Sequence, residues 1–130
     1  MTVTITFPEP AERLMSNDRP HWSRRARLTR IWRTAAALHA HKKLGPGKAA
    51  RAQPPSYVRV TFPVTVNRRR DSDGPAPTVK AIVDGLVDAG CWPDDSVEWV
   101  ETLGSRFVKG GPVVVELIPR TDKYEGGWPA

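Results

Sequence analysis

The apolar patterns of the chain run strand, helix, strand, helix, strand, strand, the order of an α/β domain with a mixed sheet of about four to five strands and two main helices. Two patterns decide this. Val58, Val60, Phe62, Val64 and Val66 alternate as a half-buried strand requires. Leu28, Ile31, Trp32, Ala35 and Leu38 recur at helical spacing, with Arg24, Arg25, Arg27, Arg30 and Arg33 at the polar positions. A length of 130 residues suits a single domain over 1–130, able to bury its own core.

The first strand is read at 2–7, where Val3, Ile5 and Phe7 point one way, and Pro8 and Pro10 end it. A loop leads to the basic helix at 24–42. Residues 44–56 hold two glycines, three prolines and three alanines among basic residues, the composition of a flexible connector. In the strand from Val58, Pro63 removes a ladder donor and so belongs at a sheet edge or bulge. Pro77 suits the first turn of a helix carrying Val79, Ile82, Val83 and Leu86, which Gly90 closes. Residues 97–108 and 113–118 read as two strands of a hairpin through Lys109, Gly110, Gly111 and Pro112, and 119–130 as a polar, frayed tail.

Cys91 is the only cysteine, which excludes an intrachain disulfide and a multi-cysteine zinc site and suits a reducing cytoplasm. The apolar runs at 35–38 and 113–115 are far too short to span a membrane, and no basic leader follows Met1. A soluble cytoplasmic protein without a membrane partner is the expectation.

Charge is divided unevenly. Residues 1–70 hold 15 Lys and Arg against 3 acids, a net of +12, while 71–130 hold 5 against 11, a net of −6. From Asp71 to Glu101 there are eight acids and one base, Lys80. A basic half that attracts a polyanion beside concentrated carboxylates is the balance a metal-dependent enzyme acting on nucleic acid needs.

If the strand from Val58 keeps its phase past Val66, Asp71 and Asp73 project together from the side away from the core. Lys80 and Asp84 lie four apart, off the apolar stripe of the next helix, and Asp94 and Asp95 follow it in a turn opened by Pro93. Helix and turn could thus gather four or five carboxylates around one ammonium. Crowded carboxylates raise one another's pKa unless a cation offsets them, and magnesium, a hard ion taking oxygen ligands, is the expected one, with manganese able to substitute. Such an ion polarises a phosphodiester and lowers the pKa of a bound water, while Lys80 adds a fixed positive charge or orients that water.

The segments Arg68-Arg69-Arg70-Asp71-Ser72-Asp73, Lys80-Ala81-Ile82-Val83-Asp84-Gly85-Leu86 and Ala89-Gly90-Cys91-Trp92-Pro93-Asp94-Asp95, with Lys109-Gly110-Gly111 before the last strand, resemble the core of the RusA-type Holliday junction resolvases. The similarity covers 68–117. It implies that Asp71, Asp73 and Asp95 bind magnesium, with Asp94 and Asp84 as lesser candidates, that Lys80 is the essential lysine, and that the protein is a homodimer acting on branched DNA with no small-molecule cofactor. A two-fold dimer also suits a four-way junction, which needs one cut in each of two opposed strands. Two features depart from the family pattern: Gly74 stands where it has asparagine, and Pro75-Ala76-Pro77 lengthens the spacing from Asp73 to Lys80 by three residues.

Arg68, Arg69 and Arg70 read as phosphate contacts, Arg24, Arg25 and Arg27 as contacts to DNA arms, and Trp22 as a surface for base stacking. Each has a plain counterpart: a solvated strand end, a solubilised helix, an exposed aromatic. The aspartates could equally be turn and cap residues. Trp32, Trp92, Trp99 and Cys91 fall at core positions, and His39 and His41, two apart, cannot share a metal from a helix. Gly45-Pro46-Gly47-Lys48 lacks the first glycine and the hydroxyl of a phosphate-binding loop. The sequence therefore favours a magnesium-dependent endodeoxyribonuclease resolving four-way junctions, with a non-cleaving branched-DNA-binding protein as the alternative and a nuclease for flaps or RNA third.

Overall fold

The computed structural model describes residues 1–66 and 68–120. Five strands and three helices follow one another as β1 (Val3–Phe7), α1 (Trp22–Leu44), α2 (Lys48–Arg51), β2 (Ser56–Val64), α3 (Ala76–Asp88), β3 (Val100–Thr102), β4 (Arg106–Lys109) and β5 (Val113–Pro119). The α/β domain with a mixed sheet is therefore what this chain forms.

The nine-residue strand β2 organises the sheet. On one side it pairs antiparallel with β5, Val58 opposite Leu117 and Val60 opposite Val115, and β5 in turn pairs antiparallel with β1. On the other side β2 pairs parallel with β3 along its first half and with β4 along its second. Parallel neighbours need a crossover, and α3 supplies it. Ile5, Phe7, Val58, Val60, Phe62, Val113, Val115 and Leu117 alternate along their strands onto one face, where they form a single core with Trp32, Ala36 and Ala40 of α1 and Val79, Ile82, Val83 and Leu86 of α3. The Trp32 ring meets Phe7 and Phe62 edge-on, at 6.3 and 6.0 Å between centroids.

The two long helices come unusually close. A Cβ on Gly85 would lie 2.2 Å from the Arg33 carbonyl oxygen and 2.9 Å from Ala36 Cβ, so α3 lies against the backbone of α1. The Arg33 guanidinium joins the helices from outside with bonds of 2.6 and 2.8 Å to Asp88, whose carboxyl it holds below the usual range. This close packing explains why the buried positions of α1 are Leu28, Trp32, Ala36 and Ala40, whereas Leu38, read from spacing as a core residue, is exposed.

Four other expectations are corrected. Residues 97–108 do not form one strand in a hairpin with 113–118: they break into β3 and β4, and these lie across β2 from β5. The strand from Val58 ends at Val64, leaving Val66 exposed, because the chain turns before the acidic pair. The stretch 44–56 is no loose connector, since it contains α2 and begins β2. Arg51 there is buried and donates to the carbonyls of Ala89 (2.6 Å) and Gly45 (2.8 Å). At the start of the expected tail, Pro119 closes β5 and Arg120 is buried over the Tyr57 ring, 5.5 Å from its centroid. The rest of that tail, 121–130, lies outside the described residues. Pro63 sits beyond the β5 register, which ends at Thr61, and pairs with Val108 of β4, as a residue without a donor should. Trp32 and Trp92 are buried, Trp99 packs against the core, and burial pushes the Cys91 thiol up to about 11. Among the described residues no helix is long and apolar enough to cross a membrane.

Gly85→Ala is expected to destabilise the fold by about 1–3 kcal/mol or more, since the added methyl meets rigid backbone. Denaturant unfolding of the variant beside wild type checks this, and an unchanged midpoint contradicts the close approach.

Candidate functional site

The turn after β2 is shaped by aspartate chemistry. Asp71 Oδ1 accepts from the Asp73 amide at 2.9 Å, and the Asp71 carbonyl accepts from Gly74 N at 3.1 Å. Asp73 and Asp71 are therefore set by a turn, not by strand alternation. Two loops grip it. Ser16 N donates to the Gly74 carbonyl at 2.8 Å and its hydroxyl to the Asp73 carbonyl at 3.1 Å, while Ser105 N donates to the Ser72 carbonyl at 2.9 Å. A Cβ on Gly74 would lie 3.0 Å from Met15 Cε and 3.2 Å from the Asp71 carbonyl oxygen, so this chain uses the space of a side chain there to seat Met15.

The loop carrying Ser16 is itself pinned to α3. The wholly buried Thr78 hydroxyl accepts from Leu14 N at 2.7 Å and donates to Leu14 O at 2.8 Å, satisfying both backbone groups. Pro77 and the buried stripe then fix the direction of α3, whose exposed side carries Lys80 and, one turn later, the half-buried Asp84.

Asp73, Lys80 and Asp95 line one cleft of about 370 Å³, closed on its far side by β3 and the Leu103-Gly104-Ser105 link. Lys80 Nζ bonds Asp84 Oδ1 at 2.9 Å and also bonds Asp95 Oδ2. Asp95, above all, and then Asp84 raise the Lys80 pKa, and the ammonium holds the Asp95 carboxyl below the usual carboxylate range. The extra residues Pro75-Ala76-Pro77 thus do not keep the lysine from the acids.

The gathering is narrower than the sequence implied. Around the ammonium stand two carboxylates, with Asp73 on the same walls. Asp71 lines a neighbouring hollow with Arg68, Arg69, Arg70 and Asn17. Asp94 turns back to its own loop, accepting from Ser96 N at 2.8 Å, and hydrogen bonding from the Ser96 side chain, above all, and then from its backbone lowers the Asp94 pKa. Among the described residues no three His, Cys, Asp or Glu side chains group closely enough to form a metal-ligand set. The cleft does bring carboxylates from separate segments, Asp73, Asp95 and Glu101, onto the same walls as the Lys80 ammonium.

Glu101 also lines the cleft, and the sequence reading passed over it as the end of an acidic stretch. It follows buried Val100 in β3, so its outward phase was the available signal, hidden by reading 97–108 as one strand.

The basic residues are distributed over two surfaces. Arg68 and Arg69 are exposed with no ion pair among the described residues. Arg70 lies over the Phe107 ring, 5.8 Å from its centroid, and donates to the Val66 carbonyl at 2.9 Å. On α1, Arg24 pairs with Glu12 at 2.5 Å and Arg33 with Asp88, whereas Arg25 and Arg27 face solvent without an ion pair among the described residues. Trp22 is 76% exposed at the first turn of α1, which the His21 ring caps by accepting from Ser23 N at 3.2 Å. His41 is exposed, as expected; His39 is half-buried, stacked on Phe7 with its pKa lowered by burial.

The Lys80–Asp95 pair has a defined pH sign. With the folded pKa of Asp95 depressed, its contribution is present above the ordinary carboxylate range and is lost as pH falls through the folded value. Carbon-13 titration of the Asp95 carboxyl is expected to show a midpoint that rises towards the ordinary carboxylate range in Lys80→Met; an unmoved midpoint contradicts the pairing. No family model and no curated protein matches this chain.

Proposed function

We propose that this protein is a magnesium-dependent, structure-selective endodeoxyribonuclease that resolves four-way DNA junctions by paired nicks, working as a homodimer. The observation that carries this reading is the placing of Asp73, Lys80 and Asp95, from three separate segments, in one cleft, with Arg68, Arg69 and Arg70 lining a neighbouring hollow. The resemblance to the RusA-type resolvases, on the same residues, gives it its substrate.

Asp73 and Asp95 would hold the cation, with Asp71 at the rim. When bound, the ion supplies a polarised phosphodiester and a water of lowered pKa. Lys80 keeps an ammonium beside the reacting phosphate, where it stabilises charge that builds on the phosphoryl oxygens. Arg68, Arg69 and Arg70 bind phosphates flanking the cut. Arg24, Arg25 and Arg27 lie along the helix that would track a DNA arm, and Trp22 offers a flat face to an unstacked base at the crossover. A second reading, a branched-DNA-binding protein without cleavage, is favoured by one observation: Lys80 already neutralises Asp95 and Asp84, and no three-carboxylate set forms among the described residues.

A synthetic four-way junction with and without magnesium separates the two. Symmetric nicks that need the ion, fall about 10²–10³-fold in Lys80→Met and vanish in Asp73→Asn while binding persists support the nuclease. Tight binding with no nicks under magnesium or manganese supports the second reading. Trp22→Ala is expected to leave stability within about 0.5 kcal/mol, as an exposed side chain should. It should weaken junction binding by about 1–3 kcal/mol, the range for loss of one stacked base. Gel-shift and unfolding measurements on the same variant check both halves.

A further inference from the structure

We propose that the strip of α1 carrying Trp22, Arg25 and Arg30 is a docking site for unpaired DNA that works without a metal ion. The choice of DNA among single-stranded nucleic acids rests on the reading of the protein as a junction nuclease; the strip itself does not. Trp22, Arg25, Ala26, Thr29, Arg30 and Arg33 line one shallow hollow, which shares no residue with the cleft. Their spacings of three and four residues put them on one face of the helix, over a length of about 16 Å from Trp22 to Arg33.

The Trp22 ring is 76% exposed yet has a neighbour that places it. His21, whose Nδ1 accepts from Ser23 N at 3.2 Å, lays its own ring against that of Trp22, 5.5 Å away between centroids. A large ring already placed and still open to solvent stacks on a base at small entropic cost. At the far end of the strip the Arg33 guanidinium is taken by Asp88, with bonds of 2.6 and 2.8 Å. Between these ends Arg25 and Arg30 are exposed, with no ion pair among the described residues, and Ala26 and Thr29 are short enough to leave the hollow open.

The occupant follows from that set. No acid occurs along the 23 residues of α1, so its surface selects an anion. Two guanidiniums beside an aromatic ring match a chain that alternates phosphates with flat bases. Paired DNA fits less well, because its bases are stacked on one another and do not reach the ring. An acidic peptide satisfies the arginines and leaves Trp22 idle. An unpaired strand uses both.

Binding of a fluorescein-labelled oligothymidylate to the full chain, followed by anisotropy over a range of salt with a chelator in place of magnesium, tests this. Wild type is expected to bind. Trp22→Ala should weaken binding about tenfold at an unchanged salt slope, as for the loss of one stacked base. Arg30→Gln should reduce the slope of log affinity against log salt by about 0.7, the value for one phosphate contact to a single strand. Lys43→Gln, which removes the same charge from the other end of α1, should leave the slope unmoved. An abasic strand of equal length should keep the wild-type slope and be insensitive to Trp22→Ala. The proposal is overturned if the oligothymidylate does not bind, if Trp22→Ala costs the abasic strand as much as the normal one, if Lys43→Gln lowers the slope as Arg30→Gln does, or if polyglutamate of the same charge binds as tightly. A chain that binds the strand but never nicks a junction loses the nuclease reading and keeps the strip as a single-strand site. One that nicks junctions and ignores the strand keeps the nuclease reading and loses the strip.

Discussion

The contact of two helix backbones at Gly85 is the constraint on which the rest of the structure depends. With no side chain between them, α3 seats against Arg33 and Ala36 of α1, and both helices settle on the same face of the sheet. That seating fixes which side of α3 is buried. Thr78, Val79, Ile82, Val83 and Leu86 go inward, and Lys80 is left on the outer side of the helix. The turn carrying Asp73 precedes α3 and the loop carrying Asp95 follows it, and that loop reaches back along the helix so that Asp95 bonds Lys80 in the cleft that Asp73 also lines. Helix packing sets the side from which Lys80 enters that cleft, and the Lys80–Asp95 bond ties the loop to it.

A second level of order comes from buried polar groups that are fully matched. Thr78 satisfies both backbone groups of Leu14, and Arg51 satisfies two carbonyls at helix ends, so neither region leaves an unpaired group in a low-dielectric interior. These bonds turn a proline-containing loop and a glycine-rich link into parts of the scaffold. The turn at Asp71–Gly74 inherits its position from them through Ser16 and Ser105.

What could be read from the residues follows the range of the forces involved. Alternation from Val58, helical spacing from Leu28 and the apolar stripe from Val79 are local, and each corresponds to an element of the fold. Lys80 beside Asp84 was equally local, a matter of spacing on one helix. Pairing across the sheet was not: β4 and β5 are joined by two glycines, yet β2 lies between them, because sheet order is decided by side chains far apart in sequence. Arg51 reads as a solvated base until Gly45 and Ala89 come together around it. Strand phase carried past Val66 does not place Asp71 and Asp73, because the strand ends at Val64 and turn chemistry sets them, and a single strand over 97–108 hides the outward position of Glu101.

The long basic helix carries its own cost. Along 23 residues α1 has no acid, and Arg24, Arg27, Arg30 and Arg33 follow one another at intervals of three, where like charges repel across the helix surface. Glu12 and Asp88 relieve this at Arg24 and Arg33, leaving Arg27 and Arg30 between them without such relief among the described residues. Whatever anion settles along that surface removes a repulsion the folded chain otherwise bears. By thermodynamic linkage, an anion that binds there in the folded state alone would stabilise the fold in proportion to the logarithm of its occupancy ratio.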